Sequence, residues 1–383
     1  MSTKKVYIYL MSFIVLILTR VCYAEDIVVI EPNTIISEPK IYNNVILEMT
    51  NGSFIVNNKA TLRIQNCTIK GTLSKNNPAL ITLEDGNLYL ENNKGKIKSV
   101  GVLDHPTTQS LYHVIQVSRG LVDMENNHFS VNNPFKVGLL ITSASIPTTD
   151  YKIINNTFEK FHGVLYLLNS NNSLIQNNAF VTDTYGNIVT IGRKINILNN
   201  SIYFSGNNHL GNAIDVIDSD TVTISQNRLI TPTCHGIYVL NSQNVVVDSN
   251  YVTGGITYAM TVLSNPETLD PMEYISKIIG SYKIKNGLSN NITITNNYMA
   301  QNRYGIAATE INTLNVQNNT FVQRFTDQAS RTFWTDNNIL IKDVTGLVWT
   351  NNLYKEAYTQ DIDGNNTKSN AFVPFPVSGG VTL

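Results

Sequence analysis

A short phrase recurs along this chain: two asparagines, or a close variant, with a branched apolar residue before them and another apolar residue after them. Five copies fall between residues 151 and 260, and their register positions are Asn156, Asn178, Asn200, Asn227 and Asn250. The intervals are 22, 22, 27 and 23 residues. A phrase that returns every twenty-odd residues indicates a repeat architecture, in which each repeat stacks on its neighbours.

The same phrase extends through most of the chain. Further copies have their register position at Cys67, Asn127, Asn297, Asn319 and Asn352. One interval is irregular, because 47 residues separate Asn250 from Asn297. Either a coil there has lost its asparagine or a loop has been inserted. In residues 87–113 the pair Asn92-Asn93 has no apolar follower, which predicts a looser coil or a surface loop.

Each repeat also contains a second apolar run about ten residues after the asparagines, for example at 164–168, 213–217 and 236–240. These runs are short, rich in branched and aromatic residues, and bounded by Gly, Asn, Ser and Asp, as strands between turns are. Beyond the extreme N-terminus, no long window has apolar residues at helical spacing. The sequence therefore predicts an all-β protein.

A coil of about 22 residues cannot bury its own apolar side, so the repeats must stack and form parallel sheets along one axis. Stacking aligns equivalent side chains, and aligned asparagines can form a ladder of amide hydrogen bonds from coil to coil. Asparagine also tolerates the left-handed backbone of tight turns. We therefore predict that the asparagine pairs are structural, and that Cys67 occupies the ladder position of its own repeat.

These features resemble the right-handed parallel β-helix (pectate-lyase-like) superfamily. It contains pectate lyases, mannuronan C5-epimerases, alginate and glycosaminoglycan lyases, polygalacturonases, and periplasmic proteins accessory to copper enzymes. The resemblance covers about residues 45–355 and rests on the asparagine turn, the glycine-led strand after it and the period. It implies an all-β fold, a single right-handed parallel β-helix solenoid of roughly 10–13 coils with N- and C-terminal caps.

The domain boundaries follow from composition. Residues 1–24 carry Lys4, Lys5, an apolar stretch and a terminal Ala24, which predicts a secretory signal peptide, or a membrane anchor if it is not cleaved. We predict an N-terminal cap at 25–60, repeats at 61–353 with a loop insertion at about 265–289, and a C-terminal cap or tail at 354–383. A secreted, periplasmic or cell-surface location follows. Cys67 and Cys234 lie many coils apart, so no disulfide between them is expected.

Charge and motifs exclude several function classes. The net charge is −1, charged residues make up 14% of the chain, and no basic cluster stands out, so a nucleic-acid partner is not expected. No zinc-type Cys/His spacing, phosphate-binding glycine loop or Ser-His-Asp motif is present. No cofactor is predicted, with calcium kept as an alternative because Asp215, Asp218 and Asp220 are close in sequence.

Two columns of side chains could carry chemistry. When the glycine-led strands are aligned, Tyr166, Asp215, Tyr238 and Thr261 fall in one column that points away from the flanking apolar residues, and we expect it to form an exposed face. The second column stands at the turn before each strand and contains His162, Tyr185, His235, Tyr258 and Tyr304, with His209 nearby.

The resemblance implies a role for these residues. In the similar lyases and epimerases, a groove along one parallel sheet holds a linear acidic polysaccharide, and a proton is abstracted beside a uronate carboxylate. By that analogy His209 or His235 is the base, Tyr185 or Tyr238 the acid, Arg228 the group that neutralises the carboxylate, and Asp215 an orienting group. The substrate-binding residues would be His162, Tyr166, Tyr258 and Tyr304.

Some family motifs are missing. Tyr185-Gly186 lacks the Asp-Pro-His-Asp continuation of mannuronan epimerases, and Asp270-Pro271 is followed by Met272. The Gly-Asp-Asp and Gly-His-Gly elements of polygalacturonases are absent. A non-catalytic glycan-binding or surface-adhesion protein is therefore the alternative to a lyase or epimerase. A copper-accessory role would need clustered His and Met residues, and the sequence contains no such cluster. The aromatic columns could also serve only to stabilise the scaffold.

Overall fold

The computed structural model of the protein describes residues 25–100, 112–132, 137–142, 148–182, 188–204, 211–230, 234–255, 258–264, 287–300, 302, 304–325, 339–358 and 370–371. Within these ranges the regular elements are all β-strands. They are β1 (Asp26–Val29), β2 (Thr34–Ile36), β3 (Lys40–Asn43), β4 (Val45–Met49), β5 (Phe54–Val56), β6 (Thr61–Gln65), β7 (Thr68–Leu73), β8 (Ala79–Leu83), β9 (Asn87–Glu91), β10 (Lys94–Ser99), β11 (Tyr112–Val117), β12 (Val122–Glu125), β13 (His128–Asn132), β14 (Val137–Thr142), β15 (Thr148–Thr149), β16 (Tyr151–Ile154), β17 (Thr157–Phe161), β18 (Gly163–Asn171), β19 (Leu174–Gln176), β20 (Ala179–Thr182), β21 (Ile188–Leu198), β22 (Ser201–Phe204), β23 (Ile214–Ile217), β24 (Asp220–Ser225), β25 (Arg228–Ile230), β26 (Ile237–Leu240), β27 (Gln243–Asp248), β28 (Tyr251–Thr253), β29 (Tyr258–Leu263), β30 (Ser289–Thr295), β31 (Tyr298–Ala300), β32 (Tyr304–Thr309), β33 (Ile311–Gln317), β34 (Thr320–Phe325), β35 (Ile339–Lys342), β36 (Thr345–Thr350), β37 (Leu353–Tyr358) and β38 (Asn370–Ala371).

The strands form a solenoid with three faces. The first face is a 14-stranded sheet that runs from β1 through β4, β7 and β10 to β37 and β38. The second face includes β23, β26 and β29, and the third includes β24, β27 and β30. These two faces belong to one 24-stranded sheet, because β18 and β21 continue from one face to the next. The paired strands are parallel except β37 and β38, which confirms the all-β parallel solenoid.

The asparagine pair makes the corner between the third and first faces. Its first member has a positive φ, 55° at Asn177 and 51° at Asn199, a conformation that asparagine adopts more readily than most residues. Its second member is buried and bonds to the next coil. The backbone N–H and side-chain Nδ2 of Asn178 both donate to Oδ1 of Asn200, over 3.0 and 2.9 Å.

This ladder continues along the rod and confirms the structural role predicted for the asparagines. It runs from Asn93 to Asn352, with one buried asparagine per coil. Cys67 stands at the ladder position before Asn93, and its N–H donates to Oδ1 of Asn93 over 2.9 Å, as predicted. The ladder satisfies backbone groups at a buried corner that would otherwise lack partners.

The ladder also decides the irregular interval. The backbone N–H of Asn250 donates directly to Oδ1 of Asn297 over 2.9 Å, so these residues belong to adjacent coils. The 47-residue interval therefore holds inserted chain rather than a coil without its asparagine. Most of the predicted insertion, residues 265–286, lies outside the described residues.

The looser coil or surface loop predicted for residues 87–113 does not begin at Asn93, and residues 101–111 of that stretch lie outside the described residues. Asn93 is a regular ladder member, and β10 follows it at once. Gly95 takes the inward position where other coils have an apolar side chain, because the ring of Phe129 occupies that space. A Cβ on Gly95 would lie 2.0 Å from Cδ1 of Phe129. The neighbouring coil thus supplies the apolar group that the local sequence lacks.

The core fills the interior of the solenoid. Inward side chains of successive coils stack on one another, as in the tilted pair Phe158 and Phe180, whose ring centroids are 5.4 Å apart. Cys67 and Cys234 are not bonded to each other, as expected. Over the described residues, no helix is long and apolar enough to cross a membrane.

Candidate functional site

The predicted outward column lies on the second face. Asp215 pairs in register with Val189 on one side and Tyr238 on the other, and Tyr238 pairs with Thr261. Their neighbours in sequence point into the core, so these side chains do leave the solenoid interior. The expectation that they are exposed is wrong, because Asp215, Tyr238 and Thr261 each have 0% of their surface accessible.

A second hydrophobic cluster explains this burial. It is separate from the interior core and consists of Tyr166, Leu168, Val189, Ile191, Ile217, Tyr238, Leu240 and Leu263, with Ile141 packed against it. These residues occupy the outward positions of the second face. The polar groups in the column are therefore held in an apolar environment outside the solenoid.

Asp215 is the most perturbed group in this environment. Asn212 donates from Nδ2 to Oδ1 of Asp215 over 2.6 Å, while Oδ2 has no hydrogen-bond partner among the described residues. Burial raises the pKa of Asp215 to about 7, against a smaller lowering by the Asn212 bond. The carboxyl therefore titrates near neutral pH instead of being permanently ionised.

His235 lies in the turn before β26 and is also buried. Its Nδ1 is 2.8 Å from Oγ1 of Thr261, and its ring stacks on Tyr258 with centroids 6.3 Å apart. Its backbone N–H donates to Oδ1 of Asn212 over 3.0 Å. Burial lowers the pKa of His235 to about 4, so the imidazole is neutral at pH 7.

Tyr238 lies next to both Asp215 and His235. Its ring centroid is 5.6 Å from that of His235, and it is the register partner of Asp215 on the adjacent strand. Burial raises the pKa of the Tyr238 hydroxyl, and the Asp215 charge and Cys234 raise it further. Like Asp215 Oδ2, the Tyr238 hydroxyl has no hydrogen-bond partner in the described part of the chain. We call Asn212, Asp215, His235, Tyr238 and Thr261 the polar cluster.

Arg228 does not belong to the polar cluster, so the neutralising role predicted for it is wrong at this place. It directly follows the ladder residue Asn227, and therefore begins β25 on the first face. Its guanidinium is exposed and lies 5.8 Å from the ring centroid of Tyr251. Along the chain, the third-face strand β24 and the asparagine corner lie between Asp215 and Arg228.

The other predicted residues are spread along the second face. His162 is half-buried in the turn before β18, three strands from β26, and its N–H donates to the Val137 carbonyl over 3.0 Å. Tyr166 is fully buried against His113, in an edge-to-face contact at 5.8 Å. Like Asp215 and Tyr238, Tyr166 has no accessible surface, so its predicted contact with substrate stays a prediction.

Tyr258 and Tyr304 are register partners, which agrees with the predicted column at the turn. Tyr258 is half-buried, and the Tyr304 side chain lies outside what the structure describes. His209 and Tyr185 also lie outside the described residues.

The acidic residues after Asp215 have structural partners. Asp218 has a φ of 44° in the turn, and its carboxylate accepts a hydrogen bond from the amide of Asn241. Asp220 accepts from Nδ2 of Asn244 over 2.8 Å. In the described ranges no group of three or more His, Cys, Asp or Glu residues could hold a metal ion. The alternative of a calcium site built from Asp215, Asp218 and Asp220 is therefore wrong.

Sequence reasoning did not single out Asn212 or His113. Asn212 lies three residues before Asp215, just ahead of β23, a local spacing at which a side-chain contact could have been anticipated. His113 is in register with Gly138 and Gly163, where the absence of a side chain leaves room for its ring. Only the coil register brings His113 to Tyr166, and no local signal predicts that contact.

Comparison with known proteins agrees with the geometry. Residues 137–269 match the family model described as "Right handed beta helix region". The chain is a right-handed parallel β-helix. The matched residues include the whole polar cluster. A search of curated proteins finds no match to this chain.

Several solved structures align with most of this chain at low identity and with TM-scores below 0.5. The periplasmic alginate epimerase AlgG is 12% identical, with a TM-score of 0.45, and the alignment covers 84% of this chain and 78% of that one. A mannuronic acid specific family 6 polysaccharide lyase from human gut microbiota is 10% identical, with a TM-score of 0.44 and coverage of 88% and 86%. PfbA, a surface adhesin of Streptococcus pneumoniae, is 12% identical, with a TM-score of 0.35 and coverage of 88% and 84%.

Proposed function

We propose that this β-helix acts on a linear acidic polysaccharide at the polar cluster, as a lyase or C5-epimerase that removes the proton beside a uronate carboxylate. One observation carries the proposal. Asp215 and Tyr238 are register partners, and Oδ2 of Asp215 and the Tyr238 hydroxyl are buried without a hydrogen-bond partner among the described residues. The pKa of Asp215 is raised to about 7. Buried polar atoms without partners are uncommon in folded proteins and are often functional.

In this proposal Asp215 is the base. A base is most effective when its pKa lies near the working pH, and Oδ2 of Asp215 has no other partner among the described residues. This differs from the orienting role predicted from sequence, and Asn212 takes that role through its bond to Oδ1. His235 serves as a neutral group that helps to position the cluster, because its lowered pKa makes it a weaker base than Asp215.

Tyr238 is the acid. As Asp215 takes the proton from C5 of the uronate, the electron pair of the C5–H bond is delocalised into the adjacent carboxyl group. In the lyase reaction the C4–O bond breaks, a C4–C5 double bond forms, and Tyr238 protonates the leaving oxygen. In the epimerase reaction Tyr238 instead returns a proton to C5 from the opposite side. In both, a proton passes from Asp215 back to the Tyr238 phenolate and restores the starting state.

The substrate carboxylate must also be neutralised for this chemistry. Strands β23, β26 and β29 contain no Lys or Arg, and Arg228 is on another face. A cation that arrives with the substrate would supply the missing charge. For this reason the activity test includes calcium.

Binding without turnover is the second candidate, and the burial of the cluster favours it. Asp215 and Tyr238 have no accessible surface, so a sugar must first gain access to them. A protein that only binds glycans needs no such access. In either case we propose a site of action outside the cytoplasm, as the composition of residues 1–24 suggests.

The decisive experiment measures ultraviolet absorbance from unsaturated uronate during incubation with alginate, pectate and glycosaminoglycans, with and without calcium. Solvent-deuterium incorporation at C5, read by mass spectrometry, detects epimerisation. Asp215→Asn and Tyr238→Phe should each reduce turnover at least about 100-fold, the scale of general acid-base catalysis. Asp220→Asn is the matched control, because it removes a nearby carboxylate that lies on β24 of the third face, outside the polar cluster.

The outcomes separate the two candidates. Turnover that Asp215→Asn abolishes and Asp220→Asn preserves supports the catalytic proposal. A flat absorbance trace without deuterium incorporation, from protein that binds one of these polymers, overturns it in favour of binding alone.

A further inference from the structure

The outer side of the first face carries a cluster of lysines. Lys70 lies on β7, and Lys94, Lys96 and Lys98 occupy alternate positions of β10, so all four point outward and are exposed. Lys70 and Lys96 are register partners on adjacent strands. We call these four residues the lysine patch. The lysine patch contradicts the prediction that the chain has no basic cluster. The lysines of β10 alternate with other residues in the sequence, but their side chains lie together on one side of the sheet.

The positive charge of the lysine patch is compensated only in part. None of its four ammonium groups forms an ion pair within the described residues. Glu48 is the register partner of Lys70 and offsets part of its charge, whereas the three lysines of β10 have His128, Ser130 and Asn132 as their register partners on β13. The whole chain has a net charge of −1, so the patch is a local feature rather than part of a basic surface. Such a patch attracts a polyanion.

Towards the C-terminal coils, the first face continues as a strip in which several side chains are short. The column that contains Lys94 next holds His128, which pairs with Glu159 over 3.2 Å. The following three coils have small side chains at this position, Thr157, Ala179 and Ser201. Small residues leave the sheet surface open to an extended chain that lies along the solenoid axis.

The strip ends at an arginine and two stacked tyrosines. Arg228 follows Ser201 in the column, and Tyr251 and Tyr298 come next. The two tyrosine rings are nearly parallel, with centroids 5.4 Å apart, and each residue is 38% exposed. Arg228 contacts the Tyr251 ring and keeps its guanidinium at the surface. A guanidinium binds carboxylate or sulfate groups in a bidentate manner.

From this arrangement we infer that the first face binds an extended polyanionic polysaccharide, separately from the polar cluster on the second face. Anionic groups of the polymer pair with the lysine patch at one end and with Arg228 at the other. Sugar hydroxyls hydrogen-bond to the exposed edges of Tyr251 and Tyr298.

The spacing sets the minimum length of the ligand. Lys94 and Arg228 are five strand steps apart in one column. At about 4.8 Å per step this is about 24 Å, so only a polymer or a long oligomer reaches both ends.

The tyrosines favour a polysaccharide over single-stranded nucleic acid. Proteins bind unpaired bases largely by stacking them on aromatic faces. Here Tyr298 occupies one neighbouring position of Tyr251, with the rings stacked, and the Arg228 guanidinium occupies the other. The faces of Tyr251 are thereby covered, while its edge and hydroxyl remain available for hydrogen bonds to sugars.

The experiment measures equilibrium binding of the full chain to heparin, alginate, neutral dextran and single-stranded DNA at several salt concentrations. The test variant is the triple substitution Lys94→Thr, Lys96→Thr, Lys98→Thr, which keeps a residue type suited to strands. The matched control removes three exposed charges elsewhere, by Lys40→Thr, Lys75→Thr and Lys342→Thr. Arg228→Ser probes the other end of the strip.

We expect heparin or alginate to bind, with an affinity that falls as salt rises, and dextran not to bind. The test triple should raise Kd about tenfold or more, Arg228→Ser about threefold, and the control triple less than about twofold. Because the test triple lies on the first face, its effect on Kd is read without reference to turnover, so failure of the proposed catalysis does not decide this binding.

Two results would overturn the inference. One is equal affinity of the test and control triples for the anionic polymers. The other is tighter binding of single-stranded DNA than of either anionic polysaccharide, which would identify a nucleic-acid surface instead.

Discussion

The side-chain amide of Asn212 donates a hydrogen bond to the carboxyl group of Asp215 over 2.6 Å. The carbonyl oxygen of the same amide accepts the backbone N–H of His235 over 3.0 Å. One buried asparagine thereby links two titratable residues on neighbouring coils. The pKa values of these residues shift in opposite directions, because burial disfavours the charged form of each.

Substitution of Asn212 should disturb both residues. Asn212→Ala removes the bond that lowers the pKa of Asp215, so that pKa should rise further above 7. It also leaves the buried His235 N–H unpaired, which costs about 1–3 kcal/mol of unfolding free energy. Urea unfolding at pH 6 measures the loss of stability, and NMR titration of the carboxyl carbon measures the pKa. An unchanged pKa would show that the bond does not influence Asp215.

Asp215 should make the protein less stable as the pH rises. Its folded-state pKa is raised from 3.8 to about 7, so between these values the folded protein holds a proton that the unfolded chain has released. The stabilisation is complete below pH 4 and decreases by about 1.4 kcal/mol per pH unit until about pH 7. Asp215→Asn should remove this decrease. Unfolding by urea at half-unit pH steps measures the decrease in stability. The control variant Asp220→Asn should retain this decrease, because the Asp220 carboxylate is not deeply buried.

His235 should have the opposite effect on the acid side. Its folded-state pKa is lowered from 6.5 to about 4, so between these values the unfolded chain binds a proton that the folded protein does not. Its stabilisation is present above pH 6.5 and is lost as the pH falls towards 4, again by about 1.4 kcal/mol per unit. In the native protein this loss and the gain from Asp215 offset each other between pH 4 and 6.5.

The offset gives a sharp test of the His235 prediction. His235→Asn keeps a polar group near Thr261 but cannot titrate, so the stability of this variant should rise as the pH falls from 6.5 to 4. Asp215→Asn should instead lose stability over the same interval. Parallel pH profiles for the two variants would contradict both assignments.

The sequence predicts the solenoid well because its determinants are local and repeated. Each asparagine pair specifies its own corner through a left-handed residue and a buried amide, so one coil is enough to recognise it. The register that follows correctly aligns Asp215 with Tyr238 and Tyr258 with Tyr304. Strand alternation likewise gives the direction in which each side chain leaves the sheet.

Exposure and grouping of the site residues could not be predicted in the same way. Whether an outward side chain meets solvent depends on the apolar residues around it, here Leu168, Ile217 and Leu240, which form a second cluster only after the coils stack. The misplacement of Arg228 has a simpler cause. It follows a ladder asparagine, and that position alone places it beyond the corner on the first face.

The two asparagines of one corner pair should differ strongly in their contribution to stability, because only the second belongs to the ladder. Asn200 is buried, accepts bonds from the N–H and Nδ2 of Asn178, and donates from Nδ2 to the Ile175 carbonyl over 2.9 Å. Asn200→Ala leaves several of these buried groups unpaired, and should reduce the unfolding free energy by about 3 kcal/mol or more.

The neighbouring residue Asn199 is the matched control. It has a φ of 51° and forms one exposed side-chain bond, from Nδ2 to Oδ1 of Asn177 over 2.8 Å. Glycine adopts this backbone conformation without strain, so Asn199→Gly should cost less than about 1 kcal/mol. Urea unfolding of both variants measures the difference. Equal losses would mean that the corner depends on the turn conformation rather than on the amide ladder that runs through it.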